Sequence, residues 1–212
     1  VMVKFPDVKP GDVASAIKKA QEAERLVHDP DIGIFDGKVV ILEYEKTFCP
    51  FFIQQKKRYF SKKYEFDPEK FVVSVSGFQA VRRDNCLLCS ETQRDFIGHL
   101  VEMRTKDALT LVVDTVRKLF RNEIDINRLI ISKKFSKESY DVPQIHVELV
   151  KRIQKREPAL APQLGERVPY VIIHRGPGVP LNQRGESVAF IQKFNLPIDL
   201  EYYYTKQLFE PL

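Results

Sequence analysis

The chain has 212 residues, 43% apolar and 30% charged, enough to bury a core in one large domain or two modest ones and too apolar for a disordered chain. Its 34 basic and 29 acidic residues leave a net charge of +5, a mild tilt toward an acidic partner, better judged from where the charge sits than from its sum. No apolar run approaches the roughly 20 residues of a membrane-spanning helix, and no signal peptide opens the chain.

Val1 to Phe5 (VMVKF) alternates like a β-strand already in progress, as in a chain cut inside a sheet, and the expected partner strand lies in residues outside this sequence. Residues 10–28 read as an amphipathic helix with Asp12 as N-cap and Val13, Ile17, Ala20 and Val27 near one stripe; Pro30 stops it. Val39 to Glu45 (VVILEYE), Phe51 to Lys57 and Phe71 to Val75 read as strands. After Cys86 the period turns helical, over Leu87 to Arg104 and Asp107 to Arg121. A short extended piece (Asn127 to Ser132), a helix over Gln144 to Arg156, a β-rich Arg167 to His174, a Pro/Gly-rich loop and a last helix over Asp199 to Leu208 follow. The expected class is α+β: a partial antiparallel sheet with a helix over residues 1–84, then a mainly helical part over residues 85–212.

Cys49, Cys86 and Cys89 are too few for a disulfide framework and point to a reducing intracellular compartment. Cys86 and Cys89 form a CxxC, but a zinc site needs four ligands and no second pair follows; buried helix cysteines are the expectation. In LEYEK, Glu43 and Glu45 share one face of the expected strand. They make either a solvated face or a site for a hard cation such as Mg²⁺.

The basic residues fall into clusters. In QQKKRYFSKKYE, Lys56, Lys57 and Arg58 precede Tyr59, and alternation would put Lys57 and Tyr59 on one face and Lys56 and Arg58 on the other. A cation beside an aromatic ring suits a nucleic-acid groove; a lysine-dressed turn and a nuclear-localisation patch stay open from charge alone. Lys62 and Lys63 read as a solvated turn. Arg82 and Arg83 precede Asp84, facing either that carboxylate or phosphate. In KRIQKR, Lys151–Lys155 and Arg152–Arg156 are like-charge i,i+4 pairs, which suit a helix facing an anion. Lys133, Lys134 and Arg167 lie in or beside loops. Basic clusters spread along the whole chain suit a long acidic polymer better than a small anion. No P-loop, GxSxG or HExxH is present.

The segments FFIQQKKRYF, GFQAVRRDNC, INRLIISKKFSK, PQIHVELVKRIQKREPALAPQLGERVPYVII and LPIDLEYYYTKQLFEPL occur in the order found in family B DNA polymerases. The resemblance runs along essentially the whole chain and is strongest to the delta-type replicative catalytic subunits of eukaryotes and large DNA viruses. VMVKF resembles the strand directly after that family's YGDTDS motif, which implies the end of the palm (residues 1–84) followed by the thumb (85–212). The resemblance implies that Lys56, Lys57, Arg58 and Tyr59 hold the primer-template duplex near the primer terminus, Lys57 in the minor groove with Tyr59 supporting it. It implies that Glu45, with Glu43 beside it, lies near the catalytic metal site. It also implies a palm–thumb junction at Arg82, Arg83 and Asp84, and contacts along the duplex backbone from Lys133, Arg152, Lys155, Arg167 and Tyr170.

The same resemblance implies DNA-directed DNA synthesis by two-metal nucleotidyl transfer with Mg²⁺, in the nucleus or a viral replication compartment. The family's metal-binding aspartates, fingers and exonuclease fall before Val1, so an N-terminal portion of the polymerase is an expected partner, and this chain alone is expected to be inactive. A sliding clamp is a further candidate partner. The cysteine-rich modules that follow the thumb in delta-type subunits are not in this sequence, and Cys86 and Cys89 are not part of one. The rival reading is a stand-alone, non-catalytic DNA-binding accessory module.

Overall fold

The computed structural model describes residues 2–33, 40–78 and 85–211. It divides into two compact units, Val1–Gly77 and Phe78–Leu212.

In the first unit, α1 (Val13–Val27) starts where Asp12 accepts a hydrogen bond from the Ser15 amide at 3.0 Å, the side-chain cap that satisfies an otherwise orphaned N–H. Three antiparallel strands follow in the order β1 (Thr47–Gln55), β2 (Arg58–Tyr64), β3 (Phe71–Ser76). Val13 and Ile17 of α1 bury with Tyr64 of β2, and Tyr44 and Cys49 pack against them. The β1–β2 ladder slips where Cys49 and Pro50 stand, between Phe48 and Phe51. Proline has no N–H to give a ladder, so an irregularity is where a strand tolerates it.

Two elements differ from the sequence expectation. Residues 40–46 are extended but lie outside any strand, which begins only at Thr47. The Leu42 amide donates to His28 Nε2 at 3.0 Å and the Tyr44 amide to Glu24 Oε2 at 2.9 Å, so these groups are taken by side chains of α1 and of its C-cap residue instead of a neighbouring strand. Lys62 and Lys63 are not in a turn but inside β2, a strand no sequence signal marked. Met2 to Phe5 carries no strand among the described residues; the partner expected for it lies outside this sequence.

The second unit begins with two packed helices, α2 (Leu87–Val101) and α3 (Thr105–Phe120), whose positions match the helical spacing of the sequence. A 3₁₀ turn (Ile126–Leu129) leads into β4 (Ile131–Lys134), and α4 (Ile145–Arg156) follows. β5 (Arg167–Ile172) pairs antiparallel with β4 and with the two-residue β6 (Gly185–Glu186). The chain ends in α5 (Val188–Phe194) and α6 (Leu200–Tyr202), which runs on as a π-helical stretch, Tyr203–Phe209. The fold class is α+β as expected, and the mainly helical second unit also carries a small sheet; β6 and α5 were not foreseen.

Leu88, Leu119, Leu129, Leu149, Val171, Ile172 and Tyr203 form the centre of the second core. The Tyr203 hydroxyl donates to Leu129 O at 2.7 Å and accepts from the Ile172 amide at 3.0 Å, joining three segments in the dry interior. Gln207 accepts from the Cys86 amide at 3.2 Å and Gln93 donates to Pro211 O at 2.6 Å, which ties the C-terminal segment to α2. Cys86 and Cys89 are buried, as expected of core cysteines. Burial pushes their thiols up to about 11 and about 12, the second also through its proximity to the first, so both stay protonated at neutral pH.

Candidate nucleic-acid interface

The basic run of the first unit is a β-hairpin. Gln55 pairs with Arg58, leaving Lys56 and Lys57 as a two-residue loop at the tip. Lys57 takes a left-handed backbone, φ 65°. Hence the alternation drawn from Lys56 to Tyr59 does not apply to the two lysines, which belong to a turn. Both are exposed, and among the described residues neither has an acidic partner. The other cations are engaged. Arg58 Nε donates to Gly77 O at 3.1 Å. Lys62 lies over the Phe71 ring, 4.4 Å from its centroid, and Lys63 pairs with Glu65 at 2.9 Å. Tyr59 packs on Phe51, with ring centroids 5.5 Å apart, and Phe51 stacks on Phe48 at 5.1 Å. A rigid aromatic strand thus presents two unneutralised lysines.

Gly77 closes this tip. Its φ is +74°, and a Cβ there would stand 2.2 Å from Lys57 O and 2.9 Å from Arg58 Cγ. The Ser76 hydroxyl donates to the same Lys57 carbonyl at 3.4 Å. Sequence reasoning missed Gly77; its only signal is a glycine directly after a strand pattern.

Glu43 and Glu45 are exposed on one side of the extended segment, while Leu42 and Tyr44 are half-buried on the other. The shared face therefore survives without the strand. Glu45 pairs with Lys46, and hydrogen bonding to that ammonium holds its carboxyl below the usual range. Among the described residues no three His, Cys, Asp or Glu side chains come together as a metal-holding group. Two exposed glutamates, one already paired, do not make the oxygen cage that Mg²⁺ requires, so no catalytic step is derived through them.

Arg82, Arg83 and Asp84 lie outside the described residues. In the second unit, the β4–β5 register sets Lys134 opposite Arg167 and Lys133 opposite Val168. Lys134 and Arg167 thus share the exposed side, with Arg167 Nε donating to Ser132 Oγ at 3.0 Å. Lys133 is half-buried on the other side; the neighbour Lys134, one position on, is the exposed cation that spacing alone did not single out.

Two expected contact residues face inward. Tyr170 is 2% exposed in the core, too deep to lie along a duplex. Arg152 gives Nη2 to Gly185 O and approaches buried Glu186 at 3.9 Å. Burial lowers its pKa, and repulsion from Arg175 and Arg156 adds to this, while Glu186 opposes it. The like-charge helix α4 does face an anion, as its spacing suggested, but the anion is Glu186 of this chain. Lys155 remains exposed on α4.

His146, on the same helix, is 4% exposed with neither ring nitrogen hydrogen-bonded. Burial first, and the nearby Lys133 charge second, hold its pKa below the free imidazole value. The unfolded chain takes up this proton near pH 6.5 and the folded chain does not, so stability falls as pH drops below about 6.5. Thermal melts between pH 7 and pH 5 should show that loss, and His146→Leu should flatten it. An unchanged pH slope in the variant would refute the assignment.

The fold compares with known proteins as follows. It superimposes on a family B DNA polymerase of the archaeon Pyrobaculum calidifontis with a TM-score of 0.67 and 22% identity, over 90% of this chain and 23% of that one. The DNA polymerase family B profile matches residues 1–212, and the chain belongs to that family. It is 37% identical to the DNA polymerase delta catalytic subunit of Candida albicans over 214 residues, all of this chain and 20% of that protein. It is also 37% identical to that of Caenorhabditis elegans, over 95% of this chain and 20% of that protein. The chain therefore spans about a fifth of the length of these relatives.

Proposed function

We propose that the chain is the palm-end and thumb part, with a boundary near residue 84, of a DNA-directed DNA polymerase of the delta type, and that it grips primer-template DNA during replication. The observation that carries this reading is the β1–β2 tip, where Lys56 and Lys57, without an acidic partner among the described residues, project from two strands packed through Tyr59, Phe51 and Phe48. Minor-groove acceptors at N3 and O2 are common to every base pair, so one lysine at the primer end can sense a paired terminus without reading sequence. Arg58 supports the tip through Gly77 and stands beside the two lysines as a further DNA contact. Lys134, Arg167 and Lys155 would add phosphate contacts, with Lys133 at their margin.

In this reading the synthesis is two-metal nucleotidyl transfer with Mg²⁺, whose principal ligands are the family's aspartates, supplied by an N-terminal portion; Glu43 and Glu45 lie near that centre. The activity belongs to the nucleus or a viral replication compartment, with a sliding clamp as a further partner. Mixing this chain with a polypeptide carrying the family's exonuclease, fingers and aspartate-bearing palm should produce primer extension that neither part gives alone. Duplex binding without any such complementation would favour the accessory-module reading instead.

A further inference from the structure

Glu186 is the most completely buried carboxylate described in the chain, at 0% exposure, and three guanidiniums converge on it. Arg156 Nη2 donates to both of its oxygens at 3.0 and 3.2 Å, and Arg175 Nη2 donates to Oε2 at 3.3 Å. Arg152 is spent on Gly185 O and on the same carboxylate from 3.9 Å. Glu148, the next acid that Arg152 feels, is already paired with Lys151 at 2.8 Å. Three cations against one anion leave two positive charges in excess, an excess that a further anion would offset.

The two outer arginines are built for such an anion. Arg156 Cζ lies over the Phe190 ring, 3.9 Å from its centroid, and its Nε donates to Arg152 O at 3.3 Å. Arg175 bonds the protein through Nη2 alone among the described residues. Both side chains reach solvent, at 30% and 35% exposure, while their carboxylate anchor does not. A guanidinium fixed along one edge with its other donors in water is prearranged for a tetrahedral oxyanion. Free, extended surface arginines would first have to give up rotamer freedom.

We propose that Arg156 and Arg175, positioned by buried Glu186, form a phosphate site of the second unit that takes a backbone phosphate of duplex DNA. The assignment rests on the reading of the chain as a duplex-gripping part. The sequence marked Arg156 only as half of a like-charge pair on one helix and did not mark Arg175, because the carboxylate that organises them lies 30 residues beyond Arg156.

The test is the salt dependence of duplex binding by the full chain, read by fluorescence anisotropy, for the parent, Arg175→Gln and Arg175→Lys. Each neutralised phosphate contributes about 0.9 to the slope of log affinity against log salt, so Arg175→Gln should flatten the slope by about 1. Arg175→Lys, which keeps the charge, should restore it, whereas a merely structural arginine would shift the melting temperature and leave the slope alone. Equal slopes for the parent and Arg175→Gln overturn the site while leaving the DNA-gripping reading intact. A parent chain that binds no duplex at all overturns both. Inorganic phosphate at constant ionic strength forms the second arm. If it raises the melting temperature of the parent but not of Arg175→Gln, while the duplex slopes stay equal, the site holds a free anion and the duplex assignment fails.

Discussion

Replacing Glu186 with Gln should cost the second unit about 3 kcal/mol or more in urea unfolding at neutral pH, among the largest single-site losses available in the chain. The side chain is fully buried and answers Arg152, Arg156 and Arg175 at once. Glutamine keeps the shape but removes the carboxylate charge that the three guanidiniums share, leaving them in mutual repulsion at the end of α4. The Ser187 amide also loses a charged acceptor at 3.1 Å. A partner of this kind is worth far more to keep than its pairing energy suggests, because its removal strands the charges that remain. Trimming a single outer arginine leaves the carboxylate still answered twice and should cost about 1 kcal/mol or less. A loss below about 1 kcal/mol for Glu186→Gln would mean that the cluster relaxes into solvent, and the rigid arrangement described for it would be wrong.

Gly77→Ala should cost the first unit about 3 kcal/mol, and its consequence is positional as well as energetic. The left-handed backbone at φ +74° penalises any Cβ, by roughly 1–2 kcal/mol. Here that Cβ would also meet Lys57 O at 2.2 Å and Arg58 Cγ at 2.9 Å. One of these contacts is backbone, so the relief available is to push the hairpin tip away from the end of β3, breaking the Arg58–Gly77 hydrogen bond. The tip should then lose its fixed direction even in molecules that stay folded. Hydrogen exchange of the β1–β2 amides should rise in Gly77→Ala, with the second unit unaffected. Protection equal to the parent would show that the tip does not depend on this glycine.

How far these features could be read from the sequence differs by element, for physical reasons. The helix α1 is legible because its signals are local: Asp12 caps it, and Val13 and Ile17 repeat at helical spacing onto Tyr64. The hairpin was half legible. β1 and β3 carry runs of Phe, Ile and Val, but β2 reads RYFSKKY, and its lysines disguise a strand whose Phe60 and Tyr64 are buried. Its loop is Lys-Lys, without the Asn-Gly or Asp-Gly that announces a tight turn. The left-handed Lys57 is imposed by tertiary closure with Gly77, which no window over the turn contains.

In the second unit the spacing of α4 revealed that an anion lies opposite its arginines and could not reveal that the anion is internal. Tyr170 shows the converse: GERVPY marks a strand, yet which of its alternate residues face inward depends on the pairing with β4 that buries Tyr170 and exposes Arg167. The family, by contrast, was legible from the order of several segments along the whole chain, and that order does not depend on any one contact.

The most direct measurement of the account is a comparison of Lys57→Ala with the parent chain on two DNAs, a recessed primer-template and a blunt duplex of the same length, at low salt. Lys57 is exposed, without an acidic partner among the described residues, and outside both cores, so the variant should melt like the parent. The parent should prefer the primer-template and Lys57→Ala should lose this preference, with plain duplex affinity falling by no more than a few-fold, as expected for one cation among several phosphate contacts. Equal preference in parent and variant, or no preference in the parent, would contradict it.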